Sequence, residues 1–243
     1  MTTLIVSDVH LGSGYNRAGE LASLLTRRSF GRLIILGDLF DRPRTVMLRE
    51  SEWDLMDAIR GLSRRKEVIW VEGNHDEGLG DVISATLGIR TEKEYEWTSR
   101  GKRFLALHGH QFDIYTSSGS FAASFAGFTY GMLRKIDNFT GTDLFHRLCF
   151  ENRSWKRSSD MVKESALQFG KERGADIMFC GHTHRAEKDT RHGVEYVNTG
   201  CWSDLYCHYA VVDEHGAMLK EFVPDGGAQA NRLGFAVNRA NAA

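Results

Sequence analysis

Five short motifs in this chain carry side chains of the kinds that hold divalent cations. They are Asp8-Val9-His10, Gly37-Asp38-Leu39-Phe40-Asp41, Gly73-Asn74-His75-Asp76, His108-Gly109-His110 and Gly181-His182-Thr183-His184. This mixed nitrogen and oxygen set lacks thiolates, so it favours Mn²⁺, Fe or Zn²⁺ over a purely oxygen-seeking ion. Two cations that share one carboxylate lie roughly 3.5 to 4 Å apart, and a water between them becomes a nucleophile near neutral pH. The motifs therefore predict a hydrolytic centre.

Three carboxylate and imidazole side chains early in the chain are the first candidate ligands. Asp8 and His10 alternate at the end of an apolar run that reads as a strand, so we expect both side chains on one face. Asp38 follows the next apolar run, and its carboxylate can bridge two cations. Asn74 adds a neutral amide oxygen, and the later histidines add imidazole nitrogens.

His75 differs from the ligands because it directly follows Asn74. We expect it to project over the cations, where an imidazole can stabilise phosphoryl oxygens or protonate a leaving oxygen. Asp76 is the expected group to orient His75 and raise its pKa. Asp41 is expected to support the ligands from behind, although Asp41 and Asp76 could instead only stabilise turns.

Composition limits the remaining classes of function. The 243 residues carry a net charge of -1, so the basic excess of a nucleic-acid-binding protein is absent and no stable nucleic-acid partner is expected. The four cysteines form no CxxC pair, and a strand begins almost at the N-terminus. We therefore expect reduced thiols, no signal peptide and a cytoplasmic protein without an obligate protein partner. The uncharged stretch Ile114–Leu133 contains nine Ser, Thr or Gly residues and is a poor membrane span.

Short apolar runs alternate with helical patterns in the first part of the chain. Strands are expected at 4–6, 33–36 and 68–71, with helices at 18–28 and 50–62. Further strands are expected at 94–98, 103–107, 177–179, 194–197, 209–212 and 218–222. This order predicts an α/β fold in which two sheets form a β-sandwich with helices outside.

One segment fits neither pattern and is predicted to be a helical insertion, or lid, at 114–155 of a domain spanning 1–223. Phe121, Phe125, Phe128 and Met132 share one helical face. That face is more typical of ordinary core than of a ligand groove. From 224 to 243 the chain is small and polar, which predicts a flexible tail. The candidate substrate-binding residues are His110, Arg153, Arg157, Phe125 and Phe128.

The five motifs, in this order, resemble the calcineurin-like metallophosphoesterase superfamily, whose pattern is DxH, GDxxD, GNH[D/E], a lone His after a strand, and GHxH. The resemblance implies a four-layer β-sandwich flanked by helices and two divalent metal ions, most typically Mn²⁺. It implies one metal held by Asp8, His10, Asp38 and His184, and another held by Asp38, Asn74, His108 and His182. His75 matches the catalytic histidine of the family, and Asp76 follows it.

Within that superfamily the chain is most similar to the bacterial UDP-2,3-diacylglucosamine pyrophosphohydrolases. The similarity lies in 7–12, 37–41, 151–153, 180–185 and 196–202. It implies a nucleotide-linked glycolipid cleaved at its pyrophosphate, with possible peripheral contact at the inner membrane surface. This chain differs from that group in two places. The group carries Arg at the position of His75, and it carries acidic and Cys residues after the lone His.

Other functions stay open at this point. A phosphodiesterase or phosphomonoesterase acting on another small molecule or nucleotide is the main alternative. A non-catalytic scaffold, like the retromer subunit of this fold, predicts missing ligands or a lost histidine after Asn74, and neither is missing here. A nuclease predicts a broad basic groove, which the net charge does not favour.

Overall fold

A computed structural model describes residues 1–41, 47–113, 152–204 and 206–224 of the chain. The predicted insertion up to residue 151, with Phe125 and Phe128, and the tail from 225 lie outside the described residues. The helices are α1 Ala18–Arg27, α2 Glu50–Ser63, α3 Gly80–Leu87 and α4 Arg153–Glu172. The strands are β1 Thr3–Val6, β2 Arg32–Leu36, β3 Glu67–Val71, β4 Arg90–Glu92, β5 Glu94–Ser99, β6 Lys102–Leu107, β7 Ile177–Cys180, β8 Glu187–Arg191, β9 Val194–Asn198, β10 His208–Asp213 and β11 Gly216–Glu221.

The strands form two sheets. The first has the order β11-β10-β1-β2-β3-β4, and the run from β1 to β4 is parallel. The second has the order β5-β6-β7-β9-β8, and β6, β7 and β9 are parallel. Parallel neighbours end at the same edge of a sheet, so the loops that follow β1, β2 and β3 meet on one side. The loops after β6 and β7 meet likewise.

Apolar side chains alternate between the two faces of the first sheet and divide the core into layers. Ile5 and Ile34 face the second sheet, where they pack with Phe104 and Phe179. The opposite face packs against α1, α2 and α3, and the outer face of the second sheet packs against α4. The order helix, sheet, sheet, helix confirms the expected α/β sandwich flanked by helices.

Helix α3, strand β4, strand β8 and most of α4 are not among the elements expected from the sequence. Strand β8, with the sequence EKDTR, contains no apolar residue and reaches extended form only by pairing with β9 at a sheet edge. The start of α4 at Arg153 also differs from the expected insertion boundary, because Asn152 caps this helix by accepting from the main-chain N–H of Ser154 and Trp155. Among the described residues, no helix combines the length and apolar character needed to cross a membrane.

A buried carboxylate fastens α2 to the loop after β1. Glu52 is fully buried and accepts hydrogen bonds from the main-chain N–H of Gly12 at 2.8 Å and of Arg49 at 2.6 Å, and from the Asn16 amide. Asn16 in turn donates to the carbonyl oxygen of His10 at 3.1 Å. Burial opposes ionisation of Glu52, but the hydrogen bonds from Arg49, Gly12 and Asn16 outweigh it and lower its pKa. Glu52 therefore holds the loop that carries His10.

Glu52→Ala should lower the free energy of unfolding by about 2 to 4 kcal/mol, because it leaves buried donors without an acceptor. Since the folded pKa is depressed, the contribution of the Glu52 charge is present above the ordinary carboxyl range and is lost as the pH falls through the folded pKa. Urea denaturation of wild type and Glu52→Gln should therefore differ at pH 7 and converge in acid. Asp54→Ala, which changes an exposed residue of α2, is the control and should stay within about 0.5 kcal/mol.

Candidate metal centre

Five residues of the motifs lie in loops with a left-handed backbone. Their φ angles lie between 51° and 65°, which is uncommon for residues with a side chain and costs of order 1 to 2 kcal/mol each. They are Asp8, His10, Asp38, His182 and His184. The expectation that Asp8 and His10 alternate on a strand is wrong, because β1 ends at Val6. Their side chains converge through the loop, where strand periodicity does not apply.

The glycines that precede the ligands are required by close packing. A Cβ atom on Gly73 would overlap the carboxylate of Asp38, and one on Gly181 would overlap the carboxylate of Asp8. Only glycine lets the main chain come this close to the buried carboxylates. The glycines in GNHD and GHTH are therefore part of the site's construction.

The first group of donors contains one carboxylate and two imidazoles. Asp8 Oδ1 lies 3.2 Å from His184 Nε2, and the Nε2 atoms of His10 and His184 are 3.1 Å apart. His10 Nε2 also lies 3.9 Å from Asp38 Oδ2. These side chains are close enough together to share one cation.

The second group of donors also includes Asp38. His108 Nε2 lies 3.4 Å from Asp38 Oδ2 and 3.2 Å from the amide oxygen of Asn74. Asp8, Asp38 and His108 are all buried and also form a set that can hold a cation. Asp38 Oδ2 therefore lies near an imidazole of each group, and its role as a bridging carboxylate stays a prediction.

His75 lies at the rim of the centre and is partly open to solvent. Its side chain is 40% exposed, and Nε2 lies 4.0 Å from Asp38 Oδ2. Nδ1 lies 2.5 Å from the carbonyl oxygen of Asp41, which can only accept, so Nδ1 carries the proton. His75 also lies near enough to His10 and Asp38 to share a cation with them.

The expectation that Asp76 orients His75 is wrong. The Asp76 carboxylate is fully buried and accepts from the main-chain N–H of Leu39 at 2.6 Å, of Phe40 at 3.2 Å and of Gly73 at 2.9 Å. Burial and the nearby charge of Asp38 raise the pKa of Asp76 to about 6. Asp76 therefore joins the loops after β2 and β3, while the carbonyl of Asp41 orients His75.

His182 lies beside this centre and has a carboxylate partner that sequence reasoning missed. Its Nε2 lies 3.0 Å from Asp113 Oδ2, and its ring centroid is 5.3 Å from that of His108. His110 lies 5.4 Å from His108, and burial together with the nearby His108 and His182 lowers the pKa of His110 to about 4. The position of Asp113, five residues after His108, was the only available signal for it.

Each buried carboxylate of the centre lies beside an imidazole whose pKa is raised. Burial opposes ionisation of Asp38, but His108 outweighs it and holds the pKa of Asp38 well below its usual range. Burial likewise opposes protonation of His108, but Asp38 raises its pKa to about 9. His184 behaves in the same way, because Cys201 and Asp8 overcome its burial and raise its pKa to about 10. Protons on the two imidazoles therefore offset the buried carboxylates.

The residues present fit divalent cations. The donors are carboxylate, amide and imidazole groups with ligand-like spacing around Asp38, and a cation can replace the imidazole protons as the counter-charge. The candidate substrate residues Arg153 and Arg157 lie on the first two turns of α4, where they line an open groove of about 520 Å³ with Lys156 and Arg191. Arg185, directly after His184, contacts this helix through Asp160 at 2.9 Å.

Comparisons with known proteins agree with this construction. A family model described as calcineurin-like phosphoesterase matches residues 1–186. Vps29 from Chaetomium thermophilum shares the fold with a TM-score of 0.51 and 10% identity, covering 91% of this chain and 96% of that chain. An archaeal phosphodiesterase (TM-score 0.49, 13% identity, 91% and 99% covered) and the phosphoesterase YfcE from E. coli (TM-score 0.48, 17% identity, 88% and 89% covered) are also similar. No curated protein matches significantly.

Mn²⁺ should raise the melting temperature, because it binds the folded centre and not the unfolded chain. At 100 times its dissociation constant a cation adds about 2.7 kcal/mol, or roughly 5 to 10 °C for a chain of this size. Because binding displaces protons from His108 and His184, whose pKa values are about 9 and about 10, the apparent affinity should increase about tenfold per pH unit for each proton displaced.

Differential scanning fluorimetry and calorimetry between pH 6 and 8.5 measure both effects. Asp38→Asn should lose the stabilisation, whereas the exposed Asp54→Ala should keep it. An affinity that does not change with pH would contradict the proposed exchange of protons for cations.

Proposed function

The chain belongs to the calcineurin-like phosphoesterase family and is therefore a metal-dependent hydrolase; on this premise, we propose that it hydrolyses a phosphate ester or pyrophosphate bond at a centre of two divalent cations. The observation that carries the proposal is the position of Asp38. Its Oδ2 atom lies 3.9 Å from His10 Nε2 and 3.4 Å from His108 Nε2, so one carboxylate lies near an imidazole of each donor group. Such a carboxylate can serve two cations at once.

Each proposed cation has its own set of ligands and shares Asp38 with the other. Asp8, His10 and His184 would hold one cation with Asp38, and Asn74, His108 and His182 would hold the other. When bound, the two cations would supply a nucleophile from water at neutral pH and neutralise charge on the phosphoryl group. Mn²⁺ is the proposed cation, and Fe or Zn²⁺ also fits this mixed set of oxygen and imidazole ligands.

His75 is the residue proposed to act on the substrate. Its Nδ1 proton is held by the Asp41 carbonyl oxygen, so the ring presents Nε2 at the rim beside Asp38. When protonated, Nε2 can donate to a phosphoryl oxygen or to the leaving oxygen. The 40% exposure of the side chain leaves room for substrate to reach it. Asp76 supports this arrangement indirectly, through the loops that it joins.

Substitutions at Asp38 and His75 should separate cation binding from chemistry. Asp38→Ala should lose cations and turnover together. His75→Ala should keep its cations and lose about 10²- to 10⁴-fold in kcat, the usual contribution of a general acid. Metal analysis and steady-state kinetics measure the two effects. His192→Ala is the control, because this exposed histidine pairs with Glu164 on the surface.

Two results would contradict the role of His75. A full rate in His75→Ala on the true substrate would remove it from the chemistry. Loss of a cation in that variant would make His75 a ligand, which its distance to Asp38 permits.

The proposed substrate is a nucleotide-linked glycolipid similar to UDP-2,3-diacylglucosamine, and another small phosphodiester or phosphomonoester is the alternative. The groove on α4 supports an anionic substrate, because its four basic residues outnumber its two acidic ones, Asp160 and Glu164. The basic residues are Arg153, Lys156, Arg157 and Arg191. One guanidinium group can donate two parallel hydrogen bonds to two oxygens of a phosphate. The groove adjoins the centre through the contact of Arg185 with Asp160. A substrate with two phosphates could therefore reach from the cations toward α4, and an acyl-bearing substrate would bring the protein to a membrane surface.

A substrate panel should distinguish these possibilities. We expect turnover of UDP-diacylglucosamine to exceed that of bis-p-nitrophenyl phosphate, cyclic nucleotides and single-stranded DNA. Arg157→Ala should raise KM for the glycolipid by about tenfold, equivalent to about 1.4 kcal/mol, and leave KM for the small diester unchanged. Arg100→Ala, at an exposed position, is the control. Activity on simple diesters with none on the glycolipid would overturn the proposed substrate but not the reaction class.

A further inference from the structure

The imidazoles of the centre share a consistent orientation. In His10, His75 and His108 the Nδ1 atom faces an oxygen outside the ligand cluster, and Nε2 faces the carboxylates. For His10 the nearest such oxygen is Asp41 Oδ1 at 3.5 Å, which makes no hydrogen bond to Nδ1. The other outer oxygens are the Asp41 carbonyl at 2.5 Å from His75 and the Leu36 carbonyl at 2.7 Å from His108, both at hydrogen-bond distance. An outer acceptor of this kind fixes the ring and decides which nitrogen is free to bind a cation.

His182 has the opposite orientation. Its Nε2 is the nitrogen that faces an outer oxygen, Asp113 Oδ2, at 3.0 Å. Both side chains are largely buried, with 8% and 11% exposed. An ionised carboxylate can only accept, so a hydrogen bond at this distance requires the proton on Nε2. The lone pair of His182 is then on Nδ1.

We propose that Asp113 is the positioning residue of His182, which it holds so that Nδ1 is the nitrogen offered to the cation. The inference rests on the proposed function, in which His182 is a ligand. Nδ1 is the ring nitrogen nearer to the main chain, and the main-chain N–H of His182 donates to both carboxylate oxygens of Asp8, at 3.2 and 3.0 Å. The backbone of His182 is thus held beside Asp8, and its ring centroid lies 5.3 Å from that of the proposed ligand His108.

The local fold fixes Asp113 for this task. A short 3₁₀ turn spans His110–Phe112 directly after the ligand His108. The main-chain N–H of Asp113 donates to the carbonyl of His110 at 3.0 Å, and that of Phe112 donates to Gly109 at 3.1 Å. One loop therefore carries both the ligand His108 and the carboxylate that positions His182. This arrangement links the loop after β6 to the loop after β7.

The orientation of the His182 ring is tested directly by two-bond ¹H–¹⁵N spectra of the full-length protein loaded with Zn²⁺. We expect the His182 signals to report cation on Nδ1 and a proton on Nε2, whereas His10 and His108 report cation on Nε2. His182→Gln identifies the signals. Cation bound through Nε2 of His182 would overturn the proposal, because that nitrogen could not then donate to Asp113.

Variants of Asp113 test its effect on affinity. Asp113→Ala should weaken one of the two Zn²⁺ sites about 10- to 100-fold, the usual effect of losing an outer partner. Asp113→Asn retains an acceptor oxygen, so it should weaken that site less and remain measurable if Asp113→Ala does not fold. Asp57→Ala, at an exposed position of α2, is the matched control. Unchanged affinities, or complete loss of one cation as for a direct ligand, would overturn the proposal.

Failure of the proposed function gives a different result. If wild type binds no Zn²⁺, the dinuclear centre is wrong, and the cation-free spectrum at pH 8.5 still tests the pair. In wild type we expect the proton of His182 on Nε2, and in Asp113→Ala we expect it on both ring nitrogens in turn. This result would support the proposal that Asp113 fixes the tautomer of His182. The same proton distribution in both proteins would exclude it.

Discussion

The centre depends on the burial of two carboxylates that need positive charge beside them. Asp8 and Asp38 are almost completely enclosed, and His108 lies within ligand distance of Asp38. Buried carboxylates repel each other in a medium of low polarity and remain ionised only with compensating charge. The carboxylates raise the pKa of the nearby His108 and His184, which favours protonated imidazoles beside them, and divalent cations would provide more positive charge. The same need for compensating charge explains why the site is suited to cations.

The two sheets satisfy this constraint by bringing their edges together. Asp8 and Asp38 lie in loops that follow parallel strands of the first sheet, and His108 and His182 lie in loops that follow parallel strands of the second. Hydrogen bonds join the two sheets. His108 Nδ1 lies at hydrogen-bond distance from the Leu36 carbonyl, and the main-chain N–H of His182 donates to Asp8. Left-handed loop residues cost energy locally, and the apolar core between the sheets offsets that cost. Stability of the sandwich is therefore what maintains the geometry of the centre.

Sequence reasoning succeeded where residue type alone limits chemistry, and failed where contacts depend on long-range packing. The bridging role of Asp38 stays a prediction, which its position after a buried strand suggests and its nearness to His10 and His108 supports. The partner of His75 was not predictable, because a main-chain carbonyl carries no residue signature. Asp113 was missed for a related reason, since an aspartate in a polar loop is more often a turn former.

The sequence by itself determined the family and the α/β class and predicted a set of donor residues, because motif order and strand periodicity can be read along the chain without its fold. Only the tertiary structure decided which nitrogen of each histidine faces the carboxylates, which groups hold those rings, and that Asp76 joins loops while the carbonyl of Asp41 orients His75. These choices depend on atoms brought together from distant positions, as when Asp8 meets His184. Such contacts are properties of the packed sheets and their crossing loops, and no window of sequence contains both partners.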